Sequence, residues 1–278
     1  MQNSLKNMNN FYVIVLVFLV ISCNREGKVN AERTVKLIET KTNSNIDSNI
    51  KNLIDNYPQI EKIENNLILF KDGSKMIYND GKNKSFNELI TKPDVEDQFF
   101  YKYSDTKNNS SPPNKNNDPG RIRNEEFFKK IYGNSKKEVS ENLVEMKWCP
   151  KLVGQMIKIT KINRVNEKLF LVSKELDEHP EFKKYISNIG GTFNWRKING
   201  TNRQSMHSFG MTIDINTNFA SYWQWACGCL DENKDLNYLN SIPLEIVQIF
   251  EKYGFIWGGR WYHFDTMHFE YRPELLVN

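Results

Sequence analysis

The stretch SMHSFGMTIDIN, Ser205–Asn216, places a histidine and an aspartate seven residues apart, with a glycine between them. The β-forming residues just before Asp214 predict a strand. A second stretch, DTMHFE at 265–270, brings another acid and another histidine. The chain has only four histidines, and three of them lie in its last third. Imidazole and carboxylate are the usual ligands of catalytic zinc, so the two stretches predict a metal site with a base beside it.

The composition suits one globular domain of moderate size with attached segments. The chain has 278 residues, of which 39% are hydrophobic and 13% aromatic, and its net charge is +4. No basic patch is interleaved with aromatic residues, and the net charge is small. We therefore expect no nucleic-acid partner.

The N-terminus has the pattern of an exported protein. Lys6 precedes an apolar run, Phe11–Ile21, which is too short to span a bilayer but has the length of a signal-peptide core. The sequence VISC at 20–23 looks like a bacterial lipobox; the alternative is an ordinary signal peptide with an incidental cysteine. We predict a signal peptide at 1–22, lipidation of Cys23, and attachment to the bacterial cell envelope through that lipid only.

Polar segments divide the remaining chain. Residues 23–50 are rich in Asn, Lys, Thr and Ser and predict a flexible tether. Residues 51–120 form an N-terminal extension with a predicted hairpin, whose strands at 66–70 and 76–78 flank an Asp-Gly turn. The extension ends in a polar loop at 108–119. Residues 121–278 are predicted to form the domain that carries the metal site.

The elements of this last block predict an α+β domain. Leu143–Ile159 is strand-like, but Pro150 and Gly154 predict bends within it. Helices are predicted over Glu167–Leu176 and Pro243–Tyr253 from their apolar spacing. Strands that flank helices with short connections indicate a small antiparallel sheet with flanking helices. The remaining histidine, His179, is predicted to be a solvated surface residue.

Three residues meet the ligand count of one catalytic Zn²⁺ ion: His207, Asp214 and His268. Two acids then compete for the role of base. Alternation along a strand puts Glu270 on the same face as His268, whereas Asp265 would point away unless it lies in the preceding loop. The sequence before it, GGRWYH at 258–263, is loop-like. The residue pattern alone leaves the two acids equal.

The spacing HxxGxxxD followed by GFxWGGxWxxxDxMHFE resembles the VanY-like zinc peptidases, a family of D-alanyl-D-alanine carboxypeptidases and L-alanyl-D-glutamate endopeptidases. The specific part spans about 190–272, and a looser likeness to lipoprotein members extends back to about residue 51. Thr212 stands where members often have alanine, which a strand tolerates. The resemblance implies that the zinc ligands are His207, Asp214 and His268 and that the base is Asp265. It also implies an arginine that binds the substrate or stabilises the oxyanion, for which Arg196 is the first candidate and Arg203 the second.

The resemblance implies a lipid-anchored zinc metallopeptidase that acts on peptidoglycan stem peptides. The bond cut is either L-Ala-D-Glu, as in an endopeptidase, or D-Ala-D-Ala, as in a carboxypeptidase. The Asp-x-x-His ending at Asp265 and His268 favours internal cleavage, since relatives restricted to dipeptides tend to carry Glu there. The alternative is a non-catalytic, zinc-containing lipoprotein that binds the cell wall. The intact ligand set and base argue against it.

Two further groups of residues carry predictions: neighbours of the metal site, and cysteines that could form a disulfide. Four are candidates for the rim, the substrate cleft or support of the ligands: Ser205, Trp261, His263 and Glu270. Three cysteines remain after the lipidated one. Export permits disulfides, so we predict a bridge from Cys149 to Cys227 or Cys229.

Overall fold

A computed structural model describes residues 48–104 and 113–276. The predicted signal peptide, Cys23 and the tether up to residue 47 lie outside the described residues, as do residues 105–112, which include the start of the predicted polar loop. The last residues of the predicted tether, 48–50, are already helical. In the part of the chain that the structure describes, no helix has the length and apolar character needed to cross a membrane.

The N-terminal extension folds into two short helices and one antiparallel sheet. The predicted hairpin is confirmed, because strands β2 and β3 pair around a turn in which Gly73 adopts φ 83°. The Asp72 carboxylate accepts hydrogen bonds from the backbone and hydroxyl of Ser74, which closes this turn. The elements are α1 at 48–56, β1 Ile60–Glu64, β2 Leu67–Phe70, β3 Lys75–Ile77 and α2 Phe86–Thr91.

The middle of the chain forms a second hairpin packed by helices. The predicted strand-like segment breaks between Trp148 and Gln155, and its two halves pair as antiparallel strands. The helix predicted from Glu167 begins two residues earlier and ends at the predicted Leu176. The elements are α3 Glu125–Tyr132, α4 Lys136–Ser140, β4 Leu143–Trp148, β5 Gln155–Thr160, α5 Val165–Leu176 and α6 Lys183–Ile186.

The last third contributes a four-stranded sheet with the order β6-β7-β9-β8, antiparallel throughout. Pro243 precedes the predicted helix there rather than starting it, and Gly254 follows the helix with φ 96°. The elements are β6 Ile189–Gly191, β7 Thr212–Asn216, α7 Trp223–Cys227, α8 Leu244–Lys252, β8 Phe255–Trp257 and β9 His268–Tyr271. The α+β class is confirmed, and the described residues form three small antiparallel sheets, one of which contains the predicted hairpin of the extension.

The N-terminal extension shares its hydrophobic core with the rest of the chain. Tyr57 is fully buried and donates a 2.8 Å hydrogen bond to Glu274 near the C-terminus. Tyr103 accepts a 2.9 Å hydrogen bond from the backbone of Trp257 and donates one to Glu251. Buried hydrogen bonds such as these are costly to break, so the extension is held against the sheet that carries the site.

The predicted pairing of Cys149 is wrong. Cys149 is fully buried, and its thiol lies 3.7 Å from the Ser173 carbonyl oxygen. The disulfide instead joins Cys227 to Cys229, whose Cα atoms are 5.2 Å apart. Gly228 adopts φ 62° between them, a left-handed conformation that turns the chain back on itself. The core position of Cys149 keeps its thiol away from that turn.

Candidate metal centre

His207 lies on a short 3₁₀ turn, Met206–Phe209, which Gly210 ends in a left-handed conformation with φ 63°. A side chain at Gly210 would come within 2.6 Å of Leu143, so the position also needs a residue without a Cβ. The His207 Nδ1 atom lies 2.9 Å from the Thr192 carbonyl oxygen. Because a carbonyl only accepts, Nδ1 carries the proton and Nε2 presents a lone pair.

Asp214 and His268 face each other across neighbouring strands. β7 and β9 pair in a register that places the two residues directly opposite. His268 Nδ1 lies 2.9 Å from Asp214 Oδ1. His207 Nε2 lies 3.1 Å from Asp214 Oδ2 and 3.2 Å from His268 Nδ1. The fold therefore brings together the three residues predicted as ligands.

The chemistry of this group fits a cation. His268 Nε2 lies 3.0 Å from the Glu270 carboxylate, so Nε2 donates and Nδ1 presents a lone pair. With these tautomers, the lone pairs of the two imidazoles and the Asp214 carboxylate face one another. No N–H or O–H group of these three side chains lies between them. Two nitrogens and one oxygen are the ligand set of catalytic zinc. The hydrogen bonds on the far side of each histidine set its tautomer for metal binding.

The close approach of the two histidines and Asp214 also shifts the pKa values of Asp214 and His268 in the metal-free protein. Burial opposes the charged form of both residues, but the opposite charges outweigh it. The two histidines hold the pKa of Asp214 well below its usual range. The hydrogen bonds to Asp214 and Glu270 raise the pKa of His268 to about 10. In the metal-free protein a proton on His268 Nδ1 can bridge to Asp214, and binding of a metal ion would release that proton.

Glu270 is fully buried and held on every side. Besides His268, its oxygens accept hydrogen bonds from Arg123 at 2.7 Å and from Arg272 at 3.1 Å. Burial would raise the pKa of Glu270, but Arg123 and the other cations lower it to about 2. A carboxylate with three charged partners has little tendency to take a proton, so the contacts of Glu270 orient His268.

Asp265, unlike Glu270, keeps a free carboxylate oxygen. It precedes β9 in a loop, and among the described residues its buried Oδ1 has no hydrogen-bond partner. Burial raises the pKa of Asp265 to about 7, and the nearby Asp214 carboxylate adds to the effect. A Cβ on Gly258 would lie 2.5 Å from the Asp265 carbonyl oxygen, so that glycine permits the close approach of the loop.

The three candidate ligands open into a cavity of about 250 Å³ with four arginines in its walls. Arg196 is exposed, and its guanidinium donates to the Lys197 carbonyl oxygen at 3.3 Å. Arg203 also lines the cavity. Arg121 and Arg123 were not among the site residues predicted from the sequence. Their alternation in PGRIRN, 119–124, was the available signal, because every second side chain of an extended segment shares a face.

The remaining predicted neighbours differ in position. Ser205 is buried in the cavity wall. The ring of Trp261 packs 5.6 Å from that of His268, and the Arg123 guanidinium lies 5.4 Å from the Trp261 ring centre. His263 is outside the ligand group, since its Nδ1 lies 2.6 Å from the Asp118 carboxylate. The exposed side chain of His179 agrees with its predicted surface position.

Comparison with known families singles out the same part of the chain. Residues 199–271 match the D-alanyl-D-alanine carboxypeptidase family. The matched span contains His207, Asp214, Asp265 and His268 but not Arg196. At the level of the family, the match supports a carboxypeptidase-like metallopeptidase. Comparison with curated proteins and with solved structures gave no match.

Proposed function

We propose that the protein is a zinc metallopeptidase that hydrolyses peptide bonds in peptidoglycan stem peptides. His207, Asp214 and His268 would hold the ion, and Asp265 would act as base. The observation that carries the proposal is the convergence of three lone-pair ligands beside a buried carboxylate with a free oxygen. The family match at 199–271 supports the class of reaction.

The chemistry divides between the ion and the side chains. A zinc ion held by these three residues would act as a Lewis acid that lowers the pKa of water to near neutrality and polarises the carbonyl group of the substrate. Asp265 Oδ1 is free to take a proton from water and return it to the leaving amine. Burial raises the pKa of Asp265 towards neutrality, which helps the group both to take up a proton and to return it.

Arg196 is proposed to contact the substrate. Within the described residues its guanidinium has no acidic partner, and it lines the cavity from an exposed position. A guanidinium can hold a terminal carboxylate through two parallel hydrogen bonds, or it can stabilise a developing oxyanion. The first use suits a carboxypeptidase and the second an endopeptidase.

The general test is incubation of the purified mature protein with defined wall fragments, with identification of the products by mass. The cavity adjoins two further grooves that share Arg203 with it, which leaves room for a substrate extending beyond the cleaved bond. Together with the Asp-x-x-His ending at Asp265 and His268, this space leads us to propose cleavage within the stem, next to its L-alanine.

We expect a stem pentapeptide ending in D-Ala-D-Ala to be cleaved equally well with and without C-terminal amidation, since an internal cut does not require the free carboxylate. Product masses identify the bond. Release of a single D-alanine, abolished by amidation and by Arg196→Ala, would show carboxypeptidase activity instead.

We also propose that the enzyme is exported and anchored through Cys23. The Cys23→Ser variant is expected to lose labelling by a radioactive fatty acid completely, because the thiol is the attachment point. Cys149→Ser serves as a control, since that thiol is buried and should leave labelling unchanged. Normal labelling of the Cys23 variant would disprove the anchor.

A further inference from the structure

The cavity beside the candidate metal ligands contains a loose ion pair in which both the cation and the anion keep hydrogen-bonding groups without a partner among the described residues. Arg203 Nη2 lies 3.7 Å from Glu232 Oε1, and that oxygen already accepts a 2.8 Å hydrogen bond from Arg121. Glu232 Oε2 is buried and has no hydrogen-bond partner among the described residues. The Arg203 guanidinium makes no closer contact with an acid in the same part of the chain. Free donors thus lie beside a free acceptor.

The surrounding charges leave Arg203 in need of an anion. Its side chain is 19% exposed. Burial, together with repulsion from Arg121 and Arg123, lowers the pKa of Arg203 to about 10. Two of the nearby acids are already paired with other arginines: Asp118 pairs with Arg121 at 2.7 Å. Glu270 pairs with Arg123 at 2.7 Å. A largely buried cation is stable only with an opposite charge close by, which a ligand can provide.

Glu232 is held in place by a buried network, unlike a loose surface acid. His263 Nε2 lies 3.0 Å from the Glu232 carbonyl oxygen, and the His263 ring is fully buried against Asp118. The Cys227–Cys229 disulfide closes the chain just upstream. The backbone of Glu232 is therefore fixed at the wall, and the hydrogen bond from Arg121 to Oε1 holds the carboxylate beside Arg203.

Arg203 and Glu232 lie where two spaces meet. Both line the cavity that contains the metal ligands. Both also line a wider groove of about 840 Å³ that continues along α2, past Phe86 and Ile90. A peptide lying across the metal ligands can therefore direct a neighbouring side chain between Arg203 and Glu232.

We propose that Arg203 and Glu232 form a subsite for a substrate side chain that ends in a zwitterionic amino-acid group. The carboxylate would lie on Arg203 and the ammonium on Glu232 Oε2. The inference rests on the proposed function and specifies its substrate class. The diamino acid of a stem peptide ends in an ammonium alone, as in lysine, or in an ammonium and a carboxylate on one carbon, as in diaminopimelate. Only the second kind satisfies both free groups.

The test compares two stem peptides that differ only in diaminopimelate or lysine at this residue. Their binding is measured by calorimetry on zinc-loaded Asp265→Asn, which lacks the base and leaves the peptides intact. We expect the diaminopimelate peptide to bind about 10- to 100-fold more tightly, the range for hydrogen bonds between charged groups. In the Asp265→Asn protein, a further Arg203→Gln substitution should weaken the binding of the diaminopimelate peptide only. In the same protein, Glu232→Gln should weaken the binding of both peptides, since both carry the ammonium group.

Arg196→Gln is the matched control, because it removes the same charge from the wall of the same cavity. Since Arg196 is proposed to contact a part of the substrate that both peptides share, this variant should weaken the two peptides alike and leave the preference between them unchanged. Zinc content and a thermal melt check that each variant is folded. If Arg203→Gln does not fold, Arg203→Lys keeps the charge but loses the two parallel hydrogen bonds, and it should reduce the preference.

Equal affinity for the two peptides, or binding of neither, overturns the subsite. So does an Arg203 substitution that weakens both peptides equally. Failure of the proposed function has a different signature: the unaltered protein would cleave neither peptide, while the preference in binding would persist.

Discussion

The His268→Ala variant is expected to hold almost no zinc after dialysis, against about one ion per chain in the unaltered protein. The substitution removes one of three ligands and also the imidazole that links Asp214 to Glu270. Two protein ligands do not complete a zinc site. Peptide hydrolysis should fall to background with the metal, because the Lewis acid and the activated water are lost together.

Metal content is measured by mass spectrometry on the dialysed protein, and hydrolysis by product mass. His179→Ala is the matched control, since this exposed histidine pairs with Glu181 outside the ligand group. It should keep both zinc and activity. Stoichiometric zinc in the His268 variant would show that the ligand set is wrong.

The Asp265→Asn variant is expected to keep its zinc and lose activity by a factor of about 10² or more, the scale of general acid–base catalysis. The amide has nearly the same shape as the carboxylate but cannot take a proton from water. Activity of the unaltered enzyme should fall as the pH drops through the pKa of Asp265, because the protonated acid is no longer a base. The variant should lose that dependence. The measurement is the pH profile of kcat/KM, with zinc content determined in parallel.

Glu270→Gln separates the two acids. It keeps the shape of the side chain but removes the charge that Arg123, Arg272 and His268 share. Loss of such a supporting contact typically weakens metal affinity about 10- to 100-fold. At saturating zinc we expect it to retain far more activity than Asp265→Asn. The reverse order of activities would identify Glu270 as the base.

Local sequence patterns predicted much of the fold. The Asp-Gly turn predicted the β2–β3 hairpin, and apolar spacing predicted α5 and α8 to within two residues. These elements depend on near neighbours in the chain, which the pattern contains. The pairing of the cysteines depends on which side chains are buried, and Cys149 lies in the core. The prediction for Cys149 therefore failed, whereas those for the hairpin and the helices held.

The choice between the two acids shows the limit of the site prediction. Strand alternation correctly placed Glu270 beside His268, at 3.0 Å. It did not show that Arg123 also reaches Glu270, because that arginine lies 147 residues earlier in the chain. The Arg203–Glu232 pair is equally non-local, since its members come from separate loops. Contacts of this kind have no periodic signal in the sequence.

The sequence by itself determined the α+β class and the three residues that could bind a metal ion. The spacing of His207 and Asp214 around Gly210 is local, because a turn or a strand forms from neighbouring residues, whereas His268 joins them only through the pairing of β7 with β9. Only the tertiary structure decided the protonation of the site. Burial raises the pKa of Asp265, and arginine from a distant segment lowers that of Glu270. The affinity of a carboxylate for a proton depends on its solvation and on the charges that the fold brings near it.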